Sequence, residues 1–282
     1  MKIVDFHTHI GRVRSFSPKV IGWIYANLES LLEYMDVVGV DWAVVLSVPH
    51  AEDPFSRLIS NEKLLRIAER AGGRLVPFCS LDPRAPDVYR HLKWLLRRGC
   101  RGIGEVKVGL RLDDERMKVL YDVAEEEEVP ILMHIENTAM GKYCYGIENF
   151  GKILKEYRQV RFIAHGPGWW AHIQANPPGN AYPKGEIREE GLTPKLLREF
   201  KNLYADISAT SGLNALTRDP EFARRFVEEF QDQIVYGTDF PCMGESSQYG
   251  PNRLHLEALK SLGVKERVLE KILWGNAEQM LG

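Results

Sequence analysis

The chain has 282 residues, 44% of them hydrophobic and 27% charged, with a formal net charge of −2. That length suits one large domain or two small ones, and the composition is that of an ordinary globular protein. The near-neutral balance gives no basic field to steer a polyanion, so no nucleic-acid partner is expected. With no apolar run of about 18 residues, no membrane-spanning helix is expected either.

The opening stretch Met1-Lys2-Ile3-Val4-Asp5 lacks the apolar centre of a secretory signal, so a cytoplasmic location is expected. In that setting the four cysteines, which form no Cys-X-X-Cys pair, are expected to be free thiols. Cys79 and Cys100 fall in or beside predicted strands, where packing is the default role. Cys144 and Cys242 fall in predicted loops, where a thiol could react.

Ile3, Val4 and Phe6 make residues 2–6 a short buried strand. Side chains two apart on a strand point the same way. His7 and His9 at its end would therefore face inward together, a two-imidazole seat for a divalent cation. Residues 10–27 read as a long loop carrying Arg12 and Arg14. A helix follows over 28–38, stopped by Gly39. Residues 42–48 form a near-continuous apolar run, the mark of a strand buried on both faces. A helix is expected over 56–71, ended by Gly72-Gly73, then a strand over 74–81, a helix over 86–98 and a strand over 100–108.

The alternation continues with a helix over 113–127, whose Glu125 to Glu128 run reads as a solvated face. Strands are expected over 130–135, 160–165, 203–207 and 233–238, and helices over 147–157, 193–201 and 220–230. Two helices close the chain, over 252–262 and 265–281. Eight strands alternating with helices argue for parallel β-α units. At this length the leading fold is a (β/α)8 TIM barrel, with residues 1–282 as a single domain. An open doubly wound sheet is the alternative, but its Gly-X-Gly-X-X-Gly turn after the first strand is missing.

In a barrel, catalytic groups gather at the C-terminal ends of the strands. The first strand ends at His7 and His9, the fifth at His134, the sixth at His165 and the eighth at Asp239. Nitrogen and oxygen donors without cysteine suit Zn²⁺ and would also accept Mn²⁺, Fe²⁺, Co²⁺ or Ni²⁺.

His7-Thr8-His9, His134, His165-Gly166, Gly237-Thr238-Asp239-Phe240-Pro241 and the tail Gly275-Asn276-Ala277-Glu278-Gln279-Met280-Leu281 together resemble the amidohydrolase superfamily. The branch they resemble most also contains metal-dependent decarboxylases. The resemblance implies that His7, His9 and Asp239 hold one metal. It implies that His134 joins them in a mononuclear centre, or joins His165 at a second ion in a binuclear one. Binuclear members carry a bridging carboxylate on the fourth strand, which here offers Glu105 and Lys107 on one face. Gly104-Glu105 resembles the glutamate of TatD-like deoxyribonucleases. Read from the residues alone, Glu105 and Lys107 could instead neutralise each other as a buried pair. The resemblance also allows a homodimer.

For hydrolysis of an amide, lactone or ester, a divalent cation would lower the pKa of a water toward neutrality. Asp239 would act as general base and acid, and His165, where it is not a ligand, would steady the oxyanion or serve as a second acid or base. The alternative is non-oxidative decarboxylation of a small carboxylic acid with the same donors, and a lesser one is phosphoester cleavage. The loops would choose among small-molecule substrates. Residues 166–191 form the longest, with Trp169, Trp170 and His172, and are expected to make a substrate lid. Arg12 and Lys107 are further candidate substrate contacts. The last loop, 240–251, offers Cys242, Glu245 and Tyr249, while His50, His91 and His255 read as structural or surface residues.

Overall fold

The computed structural model describes residues 1–14, 22–48, 56–241 and 253–282. Cys242, Glu245, Tyr249 and His50 lie outside them, so the expectations placed on these four concern residues not described. Eight strands form one sheet: β1 (Val4–Thr8), β2 (Trp42–Leu46), β3 (Leu75–Cys79), β4 (Gly102–Val106), β5 (Ile131–His134), β6 (Phe162–His165), β7 (Leu203–Asp206) and β8 (Ile234–Val235). Each pairs in parallel with its successor in the chain. The segment after β8 returns to β1 through a parallel bridge between Thr8 and Phe240. There the Phe6 N–H donates to Tyr236 O at 2.8 Å and the Asp239 N–H to His7 O at 2.8 Å. The fold is a (β/α)8 barrel, as the alternation predicted.

Two apolar layers account for the unbroken hydrophobic runs. Val4, Phe6, Val44, Leu46, Phe78, Leu132, Ile163 and Val235 form one cluster, alternate residues of the strands, which fills the barrel interior. Trp274, Ala277 and Met280 of the last helical segment pack against it and close one end. The opposite faces of the strands, through residues such as Val45, Ile131, Met133 and Ala164, pack against the surrounding helices. His134 stands two residues beyond Leu132, His165 two beyond Ile163 and Asp206 two beyond Tyr204. Strand periodicity therefore turns all three toward the interior at the strands' C-terminal ends.

The loop expected over 10–27 contains two strands, Gly11–Arg14 and Trp23–Ala26, which pair antiparallel. The third strand of this small sheet, Ser56–Leu58, replaces the start of the helix expected over 56–71. Ser60 caps the shorter helix that remains, Asn61–Arg70, by accepting from the Lys63 N–H. A second small ladder, Glu136–Thr138 with Gly141–Tyr143, and a helix, Ala209–Thr217, also went unread in the sequence. The final helix is interrupted by a π-helical turn at Lys271–Gly275.

The expectation of free thiols is corrected at two positions. Cys79 and Cys100 form a disulfide with their Cα atoms 5.9 Å apart. The register of β3 on β4, Phe78 opposite Gly102, lays the end of one strand beside the lead-in to the other. Spacing along the chain, 21 residues, carried no sign of that proximity. Cys144, expected in a loop where a thiol could react, is buried, its Sγ 3.2 Å from Val106 O.

Candidate metal centre

Three imidazoles and two carboxylates converge at the C-terminal mouth of the barrel. His7 Nε2 and His9 Nε2 stand 3.0 Å apart. Asp239 Oδ1 lies 3.6 Å from the first and 3.2 Å from the second. Glu105 Oε2 approaches the same nitrogens at 3.9 and 3.6 Å, and its Oε1 lies 3.9 Å from His165 Nε2. Two sets have donor atoms all within 4.8 Å of one another: His7, His9 and Asp239, and His7, Glu105 and His165. His7 and Asp206 are fully buried and His9, Glu105 and His165 nearly so, whereas the Asp239 side chain keeps 23% exposure.

The far nitrogen of each ring fixes what the near one presents. His7 Nδ1–H donates to Asp206 Oδ2 at 2.6 Å, and His9 Nδ1–H to Leu46 O at 3.0 Å. Ser208 Oγ donates to Asp206 Oδ2 at 2.8 Å, which leaves its lone pairs to accept from His165 Nδ1–H, also at 2.8 Å. In their neutral forms all three rings therefore aim an Nε2 lone pair at the centre. Lone pairs converging at 3.0 Å beside ionised carboxylates call for positive charge between them. The donor set fits a divalent cation held by nitrogen and oxygen.

The local electrostatics agree. Burial alone would lower the His7 pKa, but Asp206, Asp239 and Glu105 together raise it to about 9. Burial, reinforced by His7 and His134, lowers His165 to about 3. Burial would raise Asp239, yet the bond to His9 and the fields of His7 and His9 hold it at about 2. Burial is likewise overcome at Glu105, which His134 and His7 keep well below the usual carboxylate range. The carboxylates stay charged, and His7 supplies compensating positive charge.

The other predicted residues divide. His134 reaches the rim, where its Nδ1 contacts Glu105 Oε1 at 2.6 Å. It belongs to neither three-residue set. Lys107 is half-buried with its Nζ 5.2 Å from the Tyr143 ring centre, and it is absent from both sets. Trp169 and Trp170 are corrected: they belong to a short helix, Pro167–Ala171, and are buried in the outer apolar layer. Trp170 Nε1–H donates to Asp206 O at 3.0 Å, so this ring supports the site from behind and lines no lid. His172 is half-buried and bonded to Gly168 O at 2.6 Å. Arg12 is exposed on the small sheet with its guanidinium 5.9 Å from the Trp23 ring centre.

Asp206, Ser208 and Asp5 escaped the sequence reading. Asp206 ends β7 just as His134 ends β5, but the expected strand ran on through Ile207 and hid the terminus. Asp5 is buried beneath His7 and accepts from its N–H at 3.1 Å.

Residues 4–282 match the amidohydrolase family model. The chain belongs to the amidohydrolase family. It is an enzyme of that metal-dependent type. No curated protein shows a significant sequence match to it. Among solved structures, this amidohydrolase is similar to an Acinetobacter baumannii protein described as a probable 2-pyrone-4,6-dicarboxylic acid hydrolase with citric acid bound. The TM-score is 0.70 at 15% identity, over 100% of both chains. It is similar also to a 2,6-dihydroxybenzoate decarboxylase in complex with 2,6-dihydroxybenzoate (TM-score 0.64, 14% identity, 100% of this chain and 98% of that one). A third likeness is to the 5-carboxyvanillate decarboxylase of Novosphingobium aromaticivorans in complex with manganese and 4-hydroxy-3-methoxy-5-nitrobenzoic acid. There the TM-score is 0.60 at 15% identity, over 91% of this chain and 81% of that one. Identities this low establish the shared barrel alone. Among the described residues, no helix is long and apolar enough to cross a membrane.

Proposed function

We propose that this amidohydrolase adds water to a carbonyl of a small organic substrate, an amide, lactone or ester, with Asp239 as the proton acceptor. His7, His9 and Asp239 would hold a divalent cation, zinc by first preference, and Glu105 with His165 would hold a second if two bind. When bound, the cation supplies Lewis acidity, acidifying water and polarising the carbonyl.

The observation that carries this reading is the exposure of Asp239. His7 is sealed from solvent and His9 nearly so, whereas Asp239 contacts their Nε2 atoms and still opens to the mouth. It is the group of its set that a water or substrate can reach. It is held ionised, the form that can take a proton from a cation-acidified water and pass it to the leaving group. His165, neutral and with its Nδ1–H committed to Ser208, would serve as a ligand through Nε2 and has no second proton to donate to an oxyanion.

The test incubates the zinc-loaded protein with lactones, amides, esters and aromatic carboxylic acids. Product gaining the mass of water supports hydrolysis. Release of CO₂ would instead assign the decarboxylation for which two of the similar structures are named. Asp239→Asn, assayed with zinc in excess, should lower turnover at least about a hundredfold. Retention of activity within a few-fold removes Asp239 from its role.

A further inference from the structure

We propose that Asp206 is a positioning residue that orients two imidazoles of the centre at once, His7 directly and His165 through the Ser208 hydroxyl. The inference builds on the cation seat described above, but concerns only hydrogen bonds among the chain's own side chains. One oxygen, Asp206 Oδ2, receives both His7 Nδ1–H at 2.6 Å and Ser208 Oγ–H at 2.8 Å. The other, Oδ1, receives the Ser208 N–H at 2.9 Å, which fixes the carboxylate plane against the start of the following helix. Ser208 Oγ has one proton and gives it to Asp206, so toward His165 it can only accept. The proton on His165 is thereby confined to Nδ1. Without the hydroxyl, the ring would face Asp206 Oδ2 across 3.4 Å.

Gly237 supplies independent support. A Cβ there would lie 2.6 Å from Asp206 Oδ1, 2.9 Å from His7 Cβ and 3.0 Å from Ser208 Cβ. Three members of the relay thus crowd into the space that a side chain would fill. His7 belongs to both candidate ligand sets and His165 to the second. Asp206 therefore couples the two sets through a single buried carboxylate, and its backbone carbonyl is itself held by Trp170. Partners of this kind typically alter metal affinity by about 10- to 100-fold when removed.

Two readouts test the assignment. Nitrogen-15 spectra of histidine-labelled, chelator-treated protein should show His7 with a hydrogen-bonded proton on Nδ1 and His165 as the neutral Nδ1–H tautomer. In Ser208→Ala the His165 signals should move while those of His7 stay in place; in Asp206→Asn both should move. Zinc titration with a competing chelator should show Asp206→Asn binding about 10- to 100-fold more weakly. Unchanged His165 signals in Ser208→Ala would remove the relay. Unchanged His7 signals, or zinc affinity within twofold in folded Asp206→Asn, would overturn the role of Asp206. The spectra need no metal and no substrate, so a failure of the hydrolase reading leaves them interpretable.

Discussion

Asp5 in β1 accepts from both the N–H and the hydroxyl of Thr238, at 3.0 and 2.6 Å, and so ties the first strand to the segment that closes the barrel. The same carboxylate receives the Tyr34 hydroxyl at 2.7 Å and the His7 N–H at 3.1 Å. Burial raises its pKa to about 6 despite these four donors. The residue between the bond to Thr238 and the mouth is Asp239, so the seam and the centre share one stretch of backbone.

Asp5→Ala strands four donors in a buried seam. Each unsatisfied buried group costs about 1–3 kcal/mol, so the variant should lose at least about 3 kcal/mol by urea denaturation and melt several degrees lower. A midpoint equal to that of the parent chain would mean that the backbone bridges close the barrel unaided.

Gly237→Ala intrudes on Asp206, His7 and Ser208 together. Zinc affinity should fall more sharply than stability, because the displaced atoms orient ligands and do not form the apolar core. Titration calorimetry beside a melting curve separates the two. A stability loss with unchanged zinc binding would contradict the crowding argument.

Removal of metal should destabilise the fold by mass action, because the unfolded chain offers no assembled seat. At a free zinc concentration of about 100 times the dissociation constant, the gain is about 2.7 kcal/mol. Adding zinc to chelator-treated protein should therefore raise the melting temperature, and His9→Ala should abolish the rise. Elemental analysis completes the test. About one ion per chain corresponds to His7, His9 and Asp239, and about two brings in Glu105 and His165.

The Cys79–Cys100 bridge closes a loop of 21 residues. By chain entropy that is worth about 3 kcal/mol, so Cys100→Ser should lower the unfolding free energy by that order. Peptide mapping without reductant should recover the two cysteines in one linked fragment. Recovery of both as alkylated free thiols would restore the reading made from spacing.

The sequence by itself determined the barrel and the terminal positions of its polar residues. Apolar runs flanked by helical periodicity specify parallel β-α units, and strand ends can be found wherever such a run meets a polar residue. His7, His9, His134, His165 and Asp239 were legible for that reason, and Glu105 through the family resemblance. Only the tertiary structure decided which of them share a centre and which side chains steer them. Asp206 meets His7 across 199 residues, and Cys79 meets Cys100 through a strand register that no local pattern encodes. Trp169 and Trp170 show the converse: aromatic residues in a long loop resemble a lid until a short helix turns them into the core. Local chemistry sets what a residue can do, whereas its partners depend on how the closed sheet superimposes distant strand ends.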